Sequence, residues 1–173
     1  HQGQIKKAAT LIKNAKRPLI IAGAGVLKSG AMAELKALAE KAQIPVANTL
    51  VGLGGFPGNH ELALGMVGMH GSVAANNCTE DADLVIAAGI RFHDRITGHP
   101  DFFCKKAKII HIDIDPAEID KNVTINVPIV GDLKRVLTEL NTFVEPTTHE
   151  SWIAQIREWQ QEYPMVVPKS THG

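Results

Sequence analysis

Short apolar runs alternate with stretches of helical periodicity along most of the chain. Each run has four to six residues, mostly apolar, and is followed by glycine, threonine, aspartate or a turn. Continuous runs of this length are typical of strands that are buried on both faces, as in a parallel sheet. The segments that predict strands are Leu19–Ala22, Ile44–Asn48, Leu62–Val67, Leu84–Ala88, Lys108–Asp113 and Asn126–Val130.

The segments between these runs predict helices, because their apolar residues recur every three or four positions. Ser29, Ser72 and Asp132 are candidate N-caps, and Pro116 suits the first turn of a helix that carries residues 117–119. In the helix after Ser29, the predicted inward-facing residues are Met32, Leu35, Leu38 and Ala39. The predicted helices are Gln4–Ala15, Gly30–Ala42, a short helix from Ser72 to about Cys78, and Leu133–Leu140.

This alternation predicts an α/β fold with right-handed crossovers between parallel strands. The segment from Glu145 onward differs in character, because it begins with a linker-like Pro-Thr-Thr and then predicts one amphipathic helix over Ser151–Glu162. Trp152 and Trp159 are seven residues apart and share a face of that helix. This face either packs onto the same sheet or onto a further domain.

Composition and motif spacing exclude several classes of function. The 173 residues include 18 basic and 18 acidic side chains, so no net positive field favours a nucleic acid or an anionic membrane. No apolar run approaches the roughly 20 residues that span a bilayer. Cys78 and Cys104 form no CxxC pair, which favours reduced structural thiols in a cytoplasmic protein. None of the eight histidines has HxxxH spacing, so no metal site is predicted.

The ends of the predicted strands carry the candidate chemistry. The strand ends lie at Gly23, Thr49, Gly89, Asp113 and Gly131, where small or polar residues let a ligand approach the backbone. Ligands of open α/β sheets bind beyond the carboxyl ends of the strands, so this pattern favours a nucleotide-type ligand. The loop after Gly89 is rich in charge, and two of its side chains are arginines that suit phosphate or carboxylate. Its charged and histidine residues are Arg91, His93, Asp94 and Arg95.

The common nucleotide fingerprints are absent. The turn at Gly23-Ala24-Gly25 lacks the third glycine of GxGxxG, and no acid follows the second strand to hold a ribose. Hydride transfer with a nicotinamide cofactor is therefore not supported. The chain also lacks the Walker sequence and a GxSxG nucleophile elbow. His70, between glycines, is a candidate base or a residue that shapes the pocket.

Three segments resemble a known family. These are GMVGMHGSVAANNCTEDADLVIAAGIRFHDRITG, IIHIDIDPAEIDKN and IVGDLKRVLTEL. Together they resemble the central domain of the acetolactate (acetohydroxyacid) synthase large subunit, over about Ile5–Leu140. The resemblance implies a six-stranded parallel sheet with helices on both faces. It also implies an FAD-binding domain over residues 1–144 and, over 145–173, a linker and helix that lead to a C-terminal thiamine-diphosphate domain.

The resemblance further implies the site residues. Met69, His70, Asp94 and Arg95 match positions that line the substrate channel, and Arg95 matches the residue that meets the substrate carboxylate. Positions that match FAD contacts are Gly23, Ala24, Gly25, Thr49, Leu50, Gly68, Met69, His70, Gly71, Gly89, Arg91, Asp94, Arg95, Ile96, Asp113, Ile114, Ile119, Gly131 and Asp132. Two departures stand out: His93 replaces an aspartate that is usual in the family, and Ala24 replaces a glycine.

For the full-length protein, the resemblance implies the decarboxylating condensation of two pyruvates, or of pyruvate with 2-oxobutyrate, in branched-chain amino-acid biosynthesis. It implies FAD in this domain, with thiamine diphosphate and Mg²⁺ in other domains. The expected assembly is a homodimer or homotetramer with a small regulatory subunit in the cytoplasm. The chain alone is then expected to be inactive. The alternatives are another thiamine-diphosphate carboligase, such as glyoxylate carboligase, and a flavin-carrying electron-transfer module.

Overall fold

The computed structural model of the chain describes residues 2–91, 104–119 and 123–164. Within them, six parallel strands form one sheet in the order β3-β2-β1-β4-β5-β6. The predicted six-stranded parallel sheet is confirmed. The strands are β1 (Pro18–Ala22), β2 (Val46–Asn48), β3 (Ala63–Met66), β4 (Leu84–Ala88), β5 (Lys108–Asp113) and β6 (Val127–Val130).

Helices cover both faces of this sheet. They are α1 (Gln2–Asn14), α2 (Ala24–Ser29), α3 (Met32–Ala42), α4 (Val73–Asp81), α5 (Leu133–Phe143) and α6 (Glu150–Glu162). Short 3₁₀ turns occupy Leu50–Gly52 and Pro116–Glu118. Helices α1, α2, α3 and α5 cover one face, and α4 and α6 cover the other.

The two cores follow from the alternation of side chains along the central strands. On β1, Ile20 packs in the larger core, whereas Leu19 and Ile21 pack in the core beneath α4 and α6. Every residue of β1 and β4 is buried. This burial on both faces explains why these strands read as continuous apolar runs without polar alternation.

The segment after β1 differs from the prediction. The predicted helix Gly30–Ala42 is in fact preceded by a separate helix, α2, and Ser29 is not an N-cap. The Ser29 hydroxyl donates to the carbonyl oxygen of Gly25 at 2.7 Å, inside the last turn of α2. Gly30 has φ 66° and ends α2, so α3 starts only at Met32. Met32, the first residue of α3, is 41% exposed, so the prediction that it faces inward was wrong.

The other predicted caps are confirmed. Ser72 Oγ accepts from the Ala75 amide at 3.1 Å, and an Asp132 carboxylate oxygen accepts from the Arg135 amide at 3.0 Å. Each bond satisfies one of the backbone donors that a helix start leaves unpaired. The turn at Pro116 is a 3₁₀ turn that ends at Glu118, shorter than the predicted segment.

Helix α6 packs on this sheet, the first of the two alternatives. Trp152 and Ile156 are buried in the core beneath α4, and Trp152 Nε1 donates to the carbonyl oxygen of Pro18 at 2.9 Å. His149 precedes the helix, and its ring lies between two carbonyl oxygens, with Nδ1 3.2 Å from Gln43 and Nε2 3.1 Å from Ala15. Those carbonyls lie just beyond the ends of α3 and α1, so His149 joins α6 to both helices.

The two cysteines are free and buried. Burial, with a smaller contribution from the Asp81 carboxylate, raises the pKa of Cys78 to about 12. Burial also raises the pKa of Cys104 well above the ordinary thiol range. The thiolate is the reactive form of cysteine, so both thiols are protonated and unreactive near neutral pH. Among the described helices, none is long and apolar enough to cross a membrane.

We expect neither thiol of the folded chain to react with a disulfide reagent such as DTNB within minutes at pH 8. A thiol with a pKa near 12 carries on the order of a thousandfold less thiolate at that pH than an ordinary cysteine. The same sample in denaturing urea provides the control, and both cysteines are expected to be labelled there. Rapid labelling of either cysteine in the folded state would contradict their burial.

Candidate functional site

The carboxyl ends of all six strands lie at one edge of the sheet, since the strands are parallel. At this edge, β1 and β4 are neighbours, but the chain leaves them in opposite directions. β1 is followed by β2 on one side, and β4 is followed by β5 on the other. Such a point of reversal opens a crevice between the two departing turns, and ligands of open α/β sheets bind there.

The two turns at this crevice touch backbone to backbone. The Gly25 amide donates to the carbonyl oxygen of Gly89 at 3.0 Å, and the Gly23 amide donates to that of Ala88 at 2.9 Å. A Cβ on Gly25 would lie 2.7 Å from the Gly89 Cα, and one on Gly23 would overlap the Gly89 carbonyl oxygen. These glycines therefore let the two turns approach each other, and their amides are already bonded within the protein.

A cleft of about 580 Å³ opens beside these turns. This volume lies within the range of small-molecule sites. The cleft brings together eight of the residues that the sequence predicted: Ala24, Gly25, Thr49, Gly89, Arg91, Asp113, Ile114 and Asp132. They come from the turns after β1, β2, β4, β5 and β6, so the cleft extends across most of the carboxyl edge.

Other predicted residues lie outside the lining of the cleft. Gly23 lies behind the Gly89 turn, and Gly131 donates its amide to the Asp113 carbonyl at 3.0 Å. Leu50 and Ile119 do not line the cleft. The predicted residues Asp94, Arg95 and Ile96 lie outside the described residues.

The predicted Gly68–Gly71 turn follows β3, at the edge strand of the sheet, and does not line the cleft. The Asn76 side chain holds this turn from α4: its carbonyl oxygen accepts from the Gly68 amide at 3.0 Å, and its amide donates to the Gly68 carbonyl at 2.9 Å. Met69 is 81% exposed, and His70 is exposed as well. The turn is therefore fixed in place while it presents these two side chains to the surface.

Charged groups of both signs line the cleft. Lys28 and Arg91 contribute two cations, and Asp113 and Asp132 contribute two carboxylates. One Asp113 oxygen accepts from the Asp115 amide at 2.8 Å, so this carboxylate is held by its own loop. Cations suit phosphate groups, and carboxylates accept hydrogen bonds from hydroxyl groups. The arrangement can hold a ligand that carries both phosphate and hydroxyl groups.

Sequence reasoning missed several residues of the cleft. The missed residues are Lys28, Ser29, Val51, Ile90, Ile112 and Leu133. Lys28 and Ser29 were missed because the predicted helix began only after Ser29, whereas α2 begins at Ala24. A helix beginning at Ala24 would have placed Lys28 four residues on, on the same face as Ala24. Because six residues are too few to show that helix by periodicity, the sequence carried no signal that would have identified this cation.

Exposed apolar side chains accompany the charged ones at the carboxyl edge. Leu50 and Val51 follow β2, Met69 follows β3, and Ile114 follows β5; all four are at least 65% exposed. Exposed apolar groups that cluster on one surface mark interaction sites. This edge therefore offers apolar contacts to a ligand or a further domain beside the charged cleft. The described residues contain no group of three or more metal-ligating side chains.

Comparison with known proteins agrees with this geometry. Residues 5–140 match the family model described as "Thiamine pyrophosphate enzyme, central domain". The chain belongs to this family. The matched range coincides with the predicted one, and the predicted resemblance is confirmed.

Relatives of the chain are acetolactate synthase large subunits. It is 55% identical over 161 residues to a probable acetolactate synthase large subunit of Methanocaldococcus jannaschii, covering 91% of the chain and 27% of the relative. It is 59% identical over 140 residues to that of Methanococcus aeolicus, covering 81% and 23%. It is 41% identical over 162 residues to the isozyme 3 large subunit of Escherichia coli, covering 94% and 28%. The chain spans about a quarter of the length of these relatives.

Proposed function

We propose that this domain binds FAD in the cleft at the β1/β4 crevice and belongs to a full-length acetolactate synthase. The observation that carries the proposal is the combination of cations, carboxylates and glycine turns in one cleft at the point of reversal of the sheet. Relatives named acetolactate synthase support the reaction: condensation of two pyruvates, or of pyruvate with 2-oxobutyrate, with loss of CO₂.

The residues of the cleft fit the chemical parts of FAD. Lys28 and Arg91 suit the diphosphate, because an ammonium and a guanidinium both donate to phosphate oxygens. Asp113 and Asp132 suit the ribose hydroxyls or the adenine amine as hydrogen-bond acceptors. The exposed apolar side chains nearby suit the flat flavin ring. When bound, FAD would serve chiefly as a structural support of this domain.

The residues of this chain then bind and orient, while the condensation itself depends on thiamine diphosphate and Mg²⁺. The relatives are more than three times as long as the chain, and we propose that their other domains hold these two groups. Within this domain, Met69, His70, Asp94 and Arg95 are proposed to line the substrate channel. The Arg95 guanidinium would orient the carboxylate of a 2-oxo acid, because its donor fork matches that group.

We propose that the full-length protein assembles as a homodimer or homotetramer. The relatives are named large subunits, which supports a small subunit as a further partner. The exposed apolar side chains at the carboxyl edge support contacts between this domain and others in that assembly.

Arg91→Ala is expected to weaken FAD binding by about ten- to hundredfold, since it removes a charge-assisted hydrogen bond to the cofactor. The measurement is a titration of the purified chain with FAD, followed by flavin fluorescence and the visible absorption spectrum. Arg157→Ala removes the same charge from the solvent-facing side of α6, outside the lining of the cleft, and is expected to bind FAD like the wild type.

Arg95→Ala provides the second comparison. In the full-length enzyme it is expected to reduce acetolactate formation more than FAD affinity, because Arg95 is assigned to the substrate. A wild-type chain that binds no FAD would refute the proposed cofactor. Equal FAD affinities for the Arg91 and Arg157 variants would refute the role of Arg91.

A further inference from the structure

His111 is a polar side chain in a place where the sheet is otherwise apolar. It lies on β5, is fully buried, and pairs in register with Ala87 of β4. Its neighbours on the same face of β5 and β4, Ile109 and Val85, belong to the core beneath α4 and α6. Burying an imidazole costs free energy unless the ring makes hydrogen bonds, so its contacts indicate what it does.

The His111 ring ties β5 to the turn that follows β4. Its Nε2 lies 2.8 Å from the carbonyl oxygen of Ile90. A carbonyl can only accept, so Nε2 carries the hydrogen and donates it. The preceding residue is held from the same strand, because the Gly89 amide donates to the Ile112 carbonyl at 3.0 Å. β5 therefore fixes two consecutive residues of the turn that leads directly into Arg91.

The same ring nitrogen also faces the opposite wall of the cleft. An Asp113 carboxylate oxygen lies 3.7 Å from His111 Nε2, just beyond hydrogen-bond distance, so the ring N–H also lies beside this carboxylate. The other Asp113 oxygen is held by the Asp115 amide. Ile90 and Asp113 both line the cleft, whereas His111 lies behind them and does not line it.

We propose that His111 is a positioning residue of the cleft: it sets the distance between the turn that carries Arg91 and the Asp113 carboxylate. It touches no ligand and acts through those two groups. The inference rests on the proposed function for its consequence, because the groups that it spaces are those assigned to FAD. Its geometric basis, the bond to Ile90, is independent of the ligand.

Two substitutions separate this role from simple packing. In His111→Gln, the side-chain amide nitrogen reaches the position of Nε2 and can still donate to Ile90. In His111→Leu, the side chain fills the apolar core but leaves the buried Ile90 carbonyl without this donor. His111→Asn is polar but too short to reach, and it replaces the leucine variant if that variant does not fold.

The test is an FAD titration of the whole chain, at a temperature far below unfolding for every variant. His111→Leu is expected to weaken FAD binding roughly five- to tenfold, the effect of one hydrogen bond, and His111→Gln to restore most of it. In the Arg91→Ala background, His111→Leu is expected to reduce FAD affinity by a smaller factor than it does in the wild type. Both changes act on the same contact between Arg91 and FAD, so their effects are not independent. Additive losses, or unchanged affinity in His111→Leu, would overturn the inference.

Amide hydrogen exchange of the ligand-free chain distinguishes failure of this inference from failure of the proposed function. His111→Leu is expected to speed exchange in the Gly89–Arg91 turn, and His111→Gln is expected to leave it near the wild-type rate. If the wild type binds no FAD but this difference in exchange appears, the positioning role stands and the assigned cofactor is wrong. If exchange in the turn does not differ, the positioning role is wrong whatever the ligand.

Discussion

Gly89→Ala is expected to destabilise the chain by about 2–5 kcal/mol. The first cost is conformational, because Gly89 has φ 63°, a left-handed backbone that costs an alanine roughly 1–2 kcal/mol. The second is steric, because the new Cβ would lie 2.6 Å from the Gly25 Cα, and overpacking costs typically about 1–3 kcal/mol. The measurement is urea unfolding followed by circular dichroism.

Gly30→Ala provides a matched control, because Gly30 has φ 66° but no atom within 4 Å of the new Cβ. Gly30→Ala has only the conformational cost, so its free energy of unfolding is expected to fall by about 1–2 kcal/mol. The difference between the two variants measures how tightly the turns after β1 and β4 meet. Equal losses of stability in Gly89→Ala and Gly30→Ala would mean that the close contact between the two turns does not restrict the size of residue 89.

Trp152→Ala is expected to cost about 3–5 kcal/mol, as is usual when a buried tryptophan is truncated. Trp152 is only 4% exposed, and its Nε1 donates to the Pro18 carbonyl at the start of β1. The variant therefore loses apolar burial and leaves a carbonyl without a donor, and α6 is expected to separate from the sheet. Urea unfolding gives the loss of stability, and limited proteolysis reports the release of α6.

Trp159→Ala is the comparison, because Trp159 is on the same helix and its ring meets Trp152 edge to face at 5.9 Å between centroids, yet it is only partly buried. Trp159→Ala should therefore reduce the free energy of unfolding clearly less than Trp152→Ala does. Trp152→Phe keeps most of the apolar surface and removes only the donor, so we expect about 1 kcal/mol. If all three variants unfold at the same urea concentration as the wild type, α6 contributes nothing to stability.

The strands were predictable because a strand that is buried on both faces has a continuous run of apolar residues in the sequence. β4 and β5 occur at the residues predicted, since each apolar run is bounded by a polar residue or glycine. Caps at Ser72 and Asp132 were predictable because the capping bond is local. Helix α2 was not predictable by periodicity, because six residues are too few to show it, and Ser29 has the same chemistry whether it caps a helix or bonds back within one.

The candidate site was predictable in position but not in composition. Parallel strands bring Gly25, Gly89 and Asp113 to one edge, so the location of the cleft follows from topology. The contact between Gly25 and Gly89 joins turns 64 residues apart, and nothing local encodes it. The tie from His111 to Ile90 also depends on how β4 and β5 pair. Such contacts are products of the tertiary fold.

The strand order also shapes how the chain folds. β1 pairs in register with β4, from Pro18 opposite Leu84 to Ala22 opposite Ala88, so the middle of the sheet cannot form before residue 88 has been synthesised. The Trp152 bond to Pro18 joins residues that are 134 positions apart. Contacts between residues so far apart in sequence slow folding, because the chain loses the entropy of loop closure before the stabilising contact has formed. During synthesis, the apolar edge of β1 therefore stays open until β4 emerges, and this interval is when the chain most needs protection from aggregation.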